Sequence, residues 1–201
     1  MFTGRSAMVL GGALLTVALS GCSSTSDGQA FPIEASESSA SQSAKAATLP
    51  SRPAELALQS ADPCALLTSP QLDELKVNSK PRAVADAPDG RTCAFDADLV
   101  QPFHAYQVRA VGADLEAWVT GTRRKNSMTT TPKMVGGFPA LTNYRAAGTP
   151  ADCETLVGVA NGQTMAVQAF AVTTGAFTQP QLCELSAHAA ELALQTLSAR
   201  N

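Results

Sequence analysis

The sequence predicts a single small α+β domain in which an antiparallel β-sheet carries helices packed on one face. Three observations lead to this fold class. Helical and strand patterns follow one another in the order helix, strands, helix, strands, helix along residues 61–200. Two β-rich runs flank Asn161-Gly162, a dipeptide that is typical of a tight hairpin turn. The C-terminal segment repeats alanine and leucine at helical spacing.

The elements of the first half follow from turn residues and alternation. Ser69 is a predicted N-cap, and Pro70 suits the first position of the helix that follows. A turn is predicted at residues 88–90, where the chain reads Pro-Asp-Gly, and it leads into a short strand over 93–95. Residues 104–112 alternate between apolar and polar side chains, which predicts a half-buried strand.

The second half begins with a predicted helix over residues 115–125, capped by Asp114 and burying leucine, tryptophan and valine side chains. A short strand is predicted within residues 136–145. The two runs within 153–172 then form a hairpin, and Asn161-Gly162 favours a type I′ turn between them.

The last helix is predicted over residues 179–200, and its two faces differ in chemistry. Its apolar stripe consists of Leu182, Leu185, Ala189, Leu192 and Thr196. Glu184, His188 and Glu191 lie on the other face at spacings of four and three residues, and such side chains are possible metal ligands. The same face is the one that a packed helix turns to solvent, so we expect a solvated face and no metal site.

The N-terminus has the pattern of an export signal. Arg5 precedes an apolar run over residues 7–19, which is too short to span a bilayer as a helix. The run ends in Leu19-Ser20-Gly21-Cys22, which resembles the lipobox of bacterial lipoproteins. The resemblance implies cleavage after residue 21 and a lipid anchor on Cys22. An ordinary signal peptide cut elsewhere, or an uncleaved anchor, is the alternative.

Residues 22–59 read as a tether that follows the anchor. They are rich in serine, alanine and proline and poor in large apolar side chains, so burial cannot offset the entropy of ordering them. A chain of this length reaches roughly 30 to 35 Å. The sequence therefore divides into a signal peptide (1–21), an acylated and disordered tether (22–59) and a folded domain (60–201).

Four further cysteines lie in the predicted domain: Cys64, Cys93, Cys153 and Cys183. An even number of cysteines in an exported domain indicates two disulfides, for which three pairings are possible. A zinc site is poorly supported, because the cysteines are widely spaced and none forms a Cys-x-x-Cys pair.

Residues 61–72, which read ADPCALLTSPQL, resemble the opening motif of an actinobacterial lipoprotein family known as domain of unknown function 3558. In that family a lipobox and a Ser/Ala-rich tether precede Asp-Pro-Cys-x-Leu-Leu, and a second cysteine follows near an aromatic residue. Cys93-Ala94-Phe95 fills that role here. From this resemblance we expect the disulfides Cys64–Cys93 and Cys153–Cys183. The loss of chain entropy in the unfolded state would by itself favour pairings that close longer loops. The resemblance implies a fold and a location, but no reaction.

The composition and the motifs limit the function classes. A formal charge of −3 and the lack of a basic arm argue against nucleic acid as a partner. The sequence shows no nucleophile elbow, phosphate-binding glycine loop or zinc-protease motif, and it offers only two histidines. We therefore expect a non-enzymatic binding or accessory module without a cofactor, held on the extracytoplasmic face of the cell membrane. An envelope hydrolase or transferase with an unrecognised active site is the alternative.

The candidate contact region of such a module is the Thr-rich segment over residues 121–132, predicted to be a loop. It contains the basic cluster Arg123, Arg124 and Lys125, close to Trp118. The cluster suits an anionic wall polymer or a lipid headgroup, and an envelope protein, glycan or lipid is the expected partner. Three charges are fewer than a lipid-binding patch normally carries, so a merely solvated loop is the alternative.

Overall fold

The computed structural model describes residues 49–85 and 87–201. The predicted signal peptide, the lipidation site Cys22 and most of the predicted tether lie outside the described residues. The helical elements are α1 (Ser69–Glu74), α2 (Gln179–Ser198) and two short 3-10 segments, Pro63–Ala65 and Leu115–Trp118. The strands are β1 (Arg82–Val84), β2 (Arg91–Ala97), β3 (His104–Val111), β4 (Met128–Val135), β5 (Phe138–Arg145), β6 (Asp152–Ala160) and β7 (Gln163–Ala171).

The seven strands form one sheet in the order β1-β2-β3-β7-β6-β5-β4, and each neighbouring pair is antiparallel. The β6–β7 hairpin lies in the middle of the sheet. β3 pairs with β7 along its whole length, which brings the first half of the chain against the second. This architecture confirms the predicted α+β class with its antiparallel sheet.

The two faces of the sheet carry different layers. On one face, here called the α2 face, α2 packs across β6 and β7 over the larger hydrophobic core, which includes Phe95, Tyr106 and Val167. The opposite face, here called the open face, has a smaller cluster at one end. That cluster contains Val111, Leu115, Trp118, Leu141, Leu156 and Ala166. The 3-10 segment Leu115–Trp118 covers this end, and it is the only one of the described helical elements that contributes to this cluster.

Two disulfides connect helical elements to strands. Cys64 bonds to Cys93 and joins the 3-10 segment Pro63–Ala65 to β2, with their Cα atoms 5.0 Å apart. Cys153 bonds to Cys183 and joins β6 to α2, with a Cα separation of 4.9 Å. The two sequence-local pairings are therefore confirmed.

Helix boundaries differ from the prediction in two places. The N-cap of α1 is Thr68 and not Ser69, because Thr68 and Gln71 form a reciprocal capping box. The helix expected over 115–125 is wrong beyond its first turn, since only Leu115–Trp118 is helical. The residues that follow are Val-Thr-Gly-Thr, which are weak helix formers, and a single turn is enough to bury Leu115 and Trp118.

The strands also correct three predictions. The Thr-rich segment is a loop only up to residue 127, because β4 begins at Met128 and its β-branched threonines suit an edge strand. The turn at Asn161-Gly162 is not type I′, which needs positive φ at both residues. Gly162 has a φ of +66°, but Lys76 is the only non-glycine residue with positive φ in the described chain. The short edge strand β1 was not predicted.

The packing of the domain begins before residue 60. Leu56 and Leu58 belong to the larger core, with exposed fractions of 5% and 0%. The Leu56 N–H donates to the carbonyl of Val159 at 2.9 Å, and the Asn161 N–H donates to the Glu55 carboxylate at 2.7 Å. The end of the predicted tether is therefore part of the domain, and residues 55–58 form neither helix nor strand.

Candidate functional site

A row of polar side chains crosses the open face of the sheet at one register position. Gln107 pairs with Gln168, Gln168 with Glu154, Glu154 with Asn143, and Asn143 with Thr130. The row therefore extends from β3 across β7, β6 and β5 to the edge strand β4. Such a row on a half-covered sheet face provides donors and acceptors on a rigid platform. We call these five residues the polar row.

Glu154 lies at the centre of the polar row and is almost completely buried, with 8% of its surface exposed. Its Oε1 accepts from the Arg109 guanidinium, and its Oε2 accepts from the Asn143 amide at 3.1 Å. The Thr130 hydroxyl donates to the Asn143 carbonyl oxygen at 2.9 Å. These contacts balance the buried charge of Glu154 and fix the orientation of the Arg109 guanidinium.

Arg109 connects the polar row to a second set of charged groups at the rim. Its Nη1 lies 3.7 Å from the Asp89 carboxylate, which belongs to the turn before β2. Asp89 also accepts a hydrogen bond of 2.9 Å from Arg123. The Arg123 guanidinium in turn lies over the Trp118 ring, 5.0 Å from its centroid, in a cation–π contact.

Gly121 allows the loop after the 3-10 segment to bring Arg123 back over Trp118. A Cβ at this position would lie 2.7 Å from the Ala117 Cα, so only glycine permits the close approach of the two backbone segments. The Arg123 N–H then donates to the Ala117 carbonyl at 3.0 Å. The loop therefore holds Arg123 at the rim of the open face.

Together these residues enclose a cleft of about 330 Å³ on the open face. Its lining includes Asp89, Arg109, Trp118, Thr122, Arg123, Lys125, Asn143, Glu154 and Gln168. Three cationic side chains stand against two carboxylates in this lining. Arg123 and Lys125 of the predicted basic cluster lie at the cleft, whereas Arg124 is exposed beside it and does not line it. The structure thus divides the cluster between the cleft and solvent.

The polar face of α2 is exposed, as expected. Glu184, His188 and Glu191 are all solvent-exposed, and the His188 Nε2 lies 2.8 Å from the Glu74 carboxylate of α1. Within residues 49–85 and 87–201, no three His, Cys, Asp or Glu side chains come together as a group that could hold a metal ion.

Sequence reasoning missed most of the cleft residues. Arg109, Asn143, Glu154 and Gln168 each lie in a different strand whose residues are mainly apolar. The alternation of side chains within a strand shows which residues share one of its faces, but it does not show which residues of different strands lie side by side. The long-range strand register that aligns them is visible only in the structure.

These features define a disulfide-bonded α+β domain with a polar cleft on its open sheet face. The family model described as "Protein of unknown function (DUF3558)" matches residues 17–196. Because this match covers most of the chain, the protein belongs to that family. No curated protein and no solved structure matches the chain. In the described part of the chain, no helix has both the length and the apolar character needed to cross a bilayer.

Proposed function

We propose that this chain is a membrane-anchored extracytoplasmic lipoprotein that acts as a non-enzymatic binding module in the cell envelope. The cleft on the open face is its binding site. The observation that carries the proposal is the concentration of polar and charged groups from four strands and two loops around one concave surface, although most of the buried side chains of the sheet are apolar. Concave sites with a few converging polar groups are the usual form of ligand sites.

The contacts within the cleft support binding in preference to catalysis. Both oxygens of Glu154 accept hydrogen bonds from protein donors, and Asp89 accepts from Arg123. Acid–base or nucleophilic catalysis needs a group held against the reacting atom together with a partner that activates it. Here the carboxylates orient arginines, and arginines held in this way suit recognition of a ligand.

The N-terminal sequence supports the proposed location. The lipobox over residues 19–22 implies acylation of Cys22, and two acyl chains hold a protein to a bilayer far more firmly than one. Oxidising conditions outside the cytoplasm also agree with the two disulfides.

The experiment blocks the cleft and measures capture of envelope material. The full chain is immobilised and incubated with isotope-labelled envelope extract, and the Thr122→Trp variant places a bulky side chain at the exposed lining position 122. Thr120→Trp is the matched control, because Thr120 is exposed in the same segment but does not line the cleft. We expect saturable capture of one component, lost in Thr122→Trp and kept in Thr120→Trp.

Mass spectrometry of the released component separates binding from catalysis. A binding module returns the component with its mass unchanged. A component that is converted during incubation would favour an envelope hydrolase or transferase instead. Equal capture by both tryptophan variants would show that the cleft is not the binding surface.

A further inference from the structure

The Asp89 carboxylate occupies the space between two arginines at the rim of the cleft. One of its oxygens accepts from Arg123 at 2.9 Å, and the other lies 3.7 Å from the Arg109 Nη1. The second distance is too long for a hydrogen bond. Asp89 therefore accepts a hydrogen bond from Arg123, but it only partly balances the charge of Arg109 and accepts no hydrogen bond from it.

Further donors remain around this carboxylate. The Arg109 Nε is buried and has no hydrogen-bond partner in the part of the chain that the structure describes. A buried donor without an acceptor costs about 1 to 3 kcal/mol, and the described protein groups leave part of the hydrogen-bonding capacity of Arg109 unused. Lys125 adds a third cation to the same lining. The cationic side of the cleft thus has more donor capacity than the Asp89 carboxylate uses.

The side chain of Asp89 can leave its place without disturbing the fold. It is 42% exposed, whereas the Arg109 side chain is only 20% exposed and is fixed from the sheet by Glu154. The neighbouring Gly90 packs closely against β3, because a Cβ there would lie 2.1 Å from the Ala110 carbonyl oxygen. Its φ of +126° also favours glycine. Rotation of the Asp89 side chain therefore frees the arginines while the turn stays in position.

From this geometry we infer that the cleft binds its ligand through a phosphate group, which takes the place of the Asp89 carboxylate between Arg109 and Arg123. This inference rests on the proposed function and specifies its ligand chemistry. Planar guanidinium groups bind phosphate with paired, charge-assisted hydrogen bonds. A phosphate has more acceptor oxygens and more negative charge than a carboxylate, so it can accept from Arg109 and Lys125 as well as from Arg123. The volume of about 330 Å³ suits one small unit that carries the anion.

Trp118 provides the signal for a binding experiment. It is the only tryptophan of the chain, and it lies against the Arg123 guanidinium. The full chain is titrated with inorganic phosphate and with glucose 1-phosphate, while glucose is the neutral control and phosphatidylglycerol vesicles test a lipid source. Fluorescence of Trp118 and titration calorimetry both report binding. We expect saturable binding of a phosphate-bearing probe and none of glucose.

Three variants test the exchange. Asp89→Asn removes the negative charge that competes with phosphate and keeps the shape of the side chain. The phosphate then no longer has to displace a charge-assisted hydrogen bond, so the phosphate probe should bind about tenfold more tightly. Arg109→Gln should weaken binding by tenfold or more. Arg124→Gln is the matched control and should leave binding unchanged, because Arg124 does not line the cleft. Calorimetry of each variant avoids dependence on the fluorescence signal.

The outcomes separate this inference from the proposed function. Tighter binding by Asp89→Asn supports the exchange, and the probe that shows it identifies a small phosphate ligand or a lipid headgroup as the source. Unchanged or weaker binding by Asp89→Asn, or no binding of any phosphate probe, would overturn the inference. Envelope capture that is lost in Thr122→Trp would still support the binding module in that case. Conversely, if phosphate binds but the Thr122→Trp variant captures envelope material as well as the wild type does, only the proposed function would be overturned.

Discussion

Leu58 precedes the first disulfide, but its side chain is fully buried in the larger core, with 0% exposed. Replacement of a buried leucine by alanine removes its transfer free energy and leaves a cavity, and together these cost about 2 to 5 kcal/mol. Because Leu58 has no exposed surface, we expect Leu58→Ala to lower the free energy of unfolding by about 3 kcal/mol. Domains of this kind are stable by only about 5 to 15 kcal/mol, so the loss is easily measured.

The assay is chemical denaturation of the full chain, followed by the fluorescence of Trp118. Leu99→Ala is the matched control, because Leu99 is 76% exposed and its truncation should change the free energy of unfolding by less than about 0.5 kcal/mol. A Leu58→Ala variant as stable as the Leu99→Ala control would refute the assignment of the segment before residue 60 to the folded domain.

Three further predictions concern the cross-links, the anchor and acid stability. Removing one bridge with Cys153→Ala and Cys183→Ala should lower the free energy of unfolding by about 2 to 4 kcal/mol, and a loss below about 1 kcal/mol would contradict its structural role. Cys22→Ala should leave an uncleaved precursor that no longer partitions into detergent as the acylated protein does, and release of a product cut at the same bond would disprove the anchor. The hydrogen bond from Arg52, and after it the one from the Asn161 N–H, lowers the pKa of Glu55 below 4.5. The ionised Glu55 carboxylate therefore contributes to the free energy of unfolding above pH 4.5, and this contribution is lost as the pH falls through the lowered pKa. Glu55→Gln should therefore flatten the fall in unfolding free energy on the acid side of pH 4.5, and identical pH profiles for variant and wild type would exclude this contribution.

Elements with strong local signals were predictable from the sequence. The alternation over 104–112 and the apolar stripe of 179–200 each depend on neighbours within one element, and both elements form as expected. The hairpin around Asn161-Gly162 was predicted as well, although its turn type was not. Turn type depends on the φ of Asn161, which the surrounding strands and the bulge near Gly158 determine.

Features that depend on distant partners were not predictable. Leu56 and Leu58 lie in a segment without large apolar neighbours, and their burial comes from contacts such as that of Leu56 with Val159. The average composition of residues 22–59 is polar, so the sequence predicts that these two leucines belong to the tether. The helix expected over 115–125 fails for a similar reason, because the second cluster on the open face buries only Leu115 and Trp118.

The polar row and the cleft rim differ in burial, and this difference separates stability from binding. Glu154 is buried and connects Arg109 to the sheet, so changing it should alter both the free energy of unfolding and the shape of the cleft. Asp89 and Arg123 are partly exposed at the rim, where loss of an ion pair costs much less stability. Natural or designed changes of ligand preference are therefore expected at the rim, while the polar row below it stays fixed by the fold.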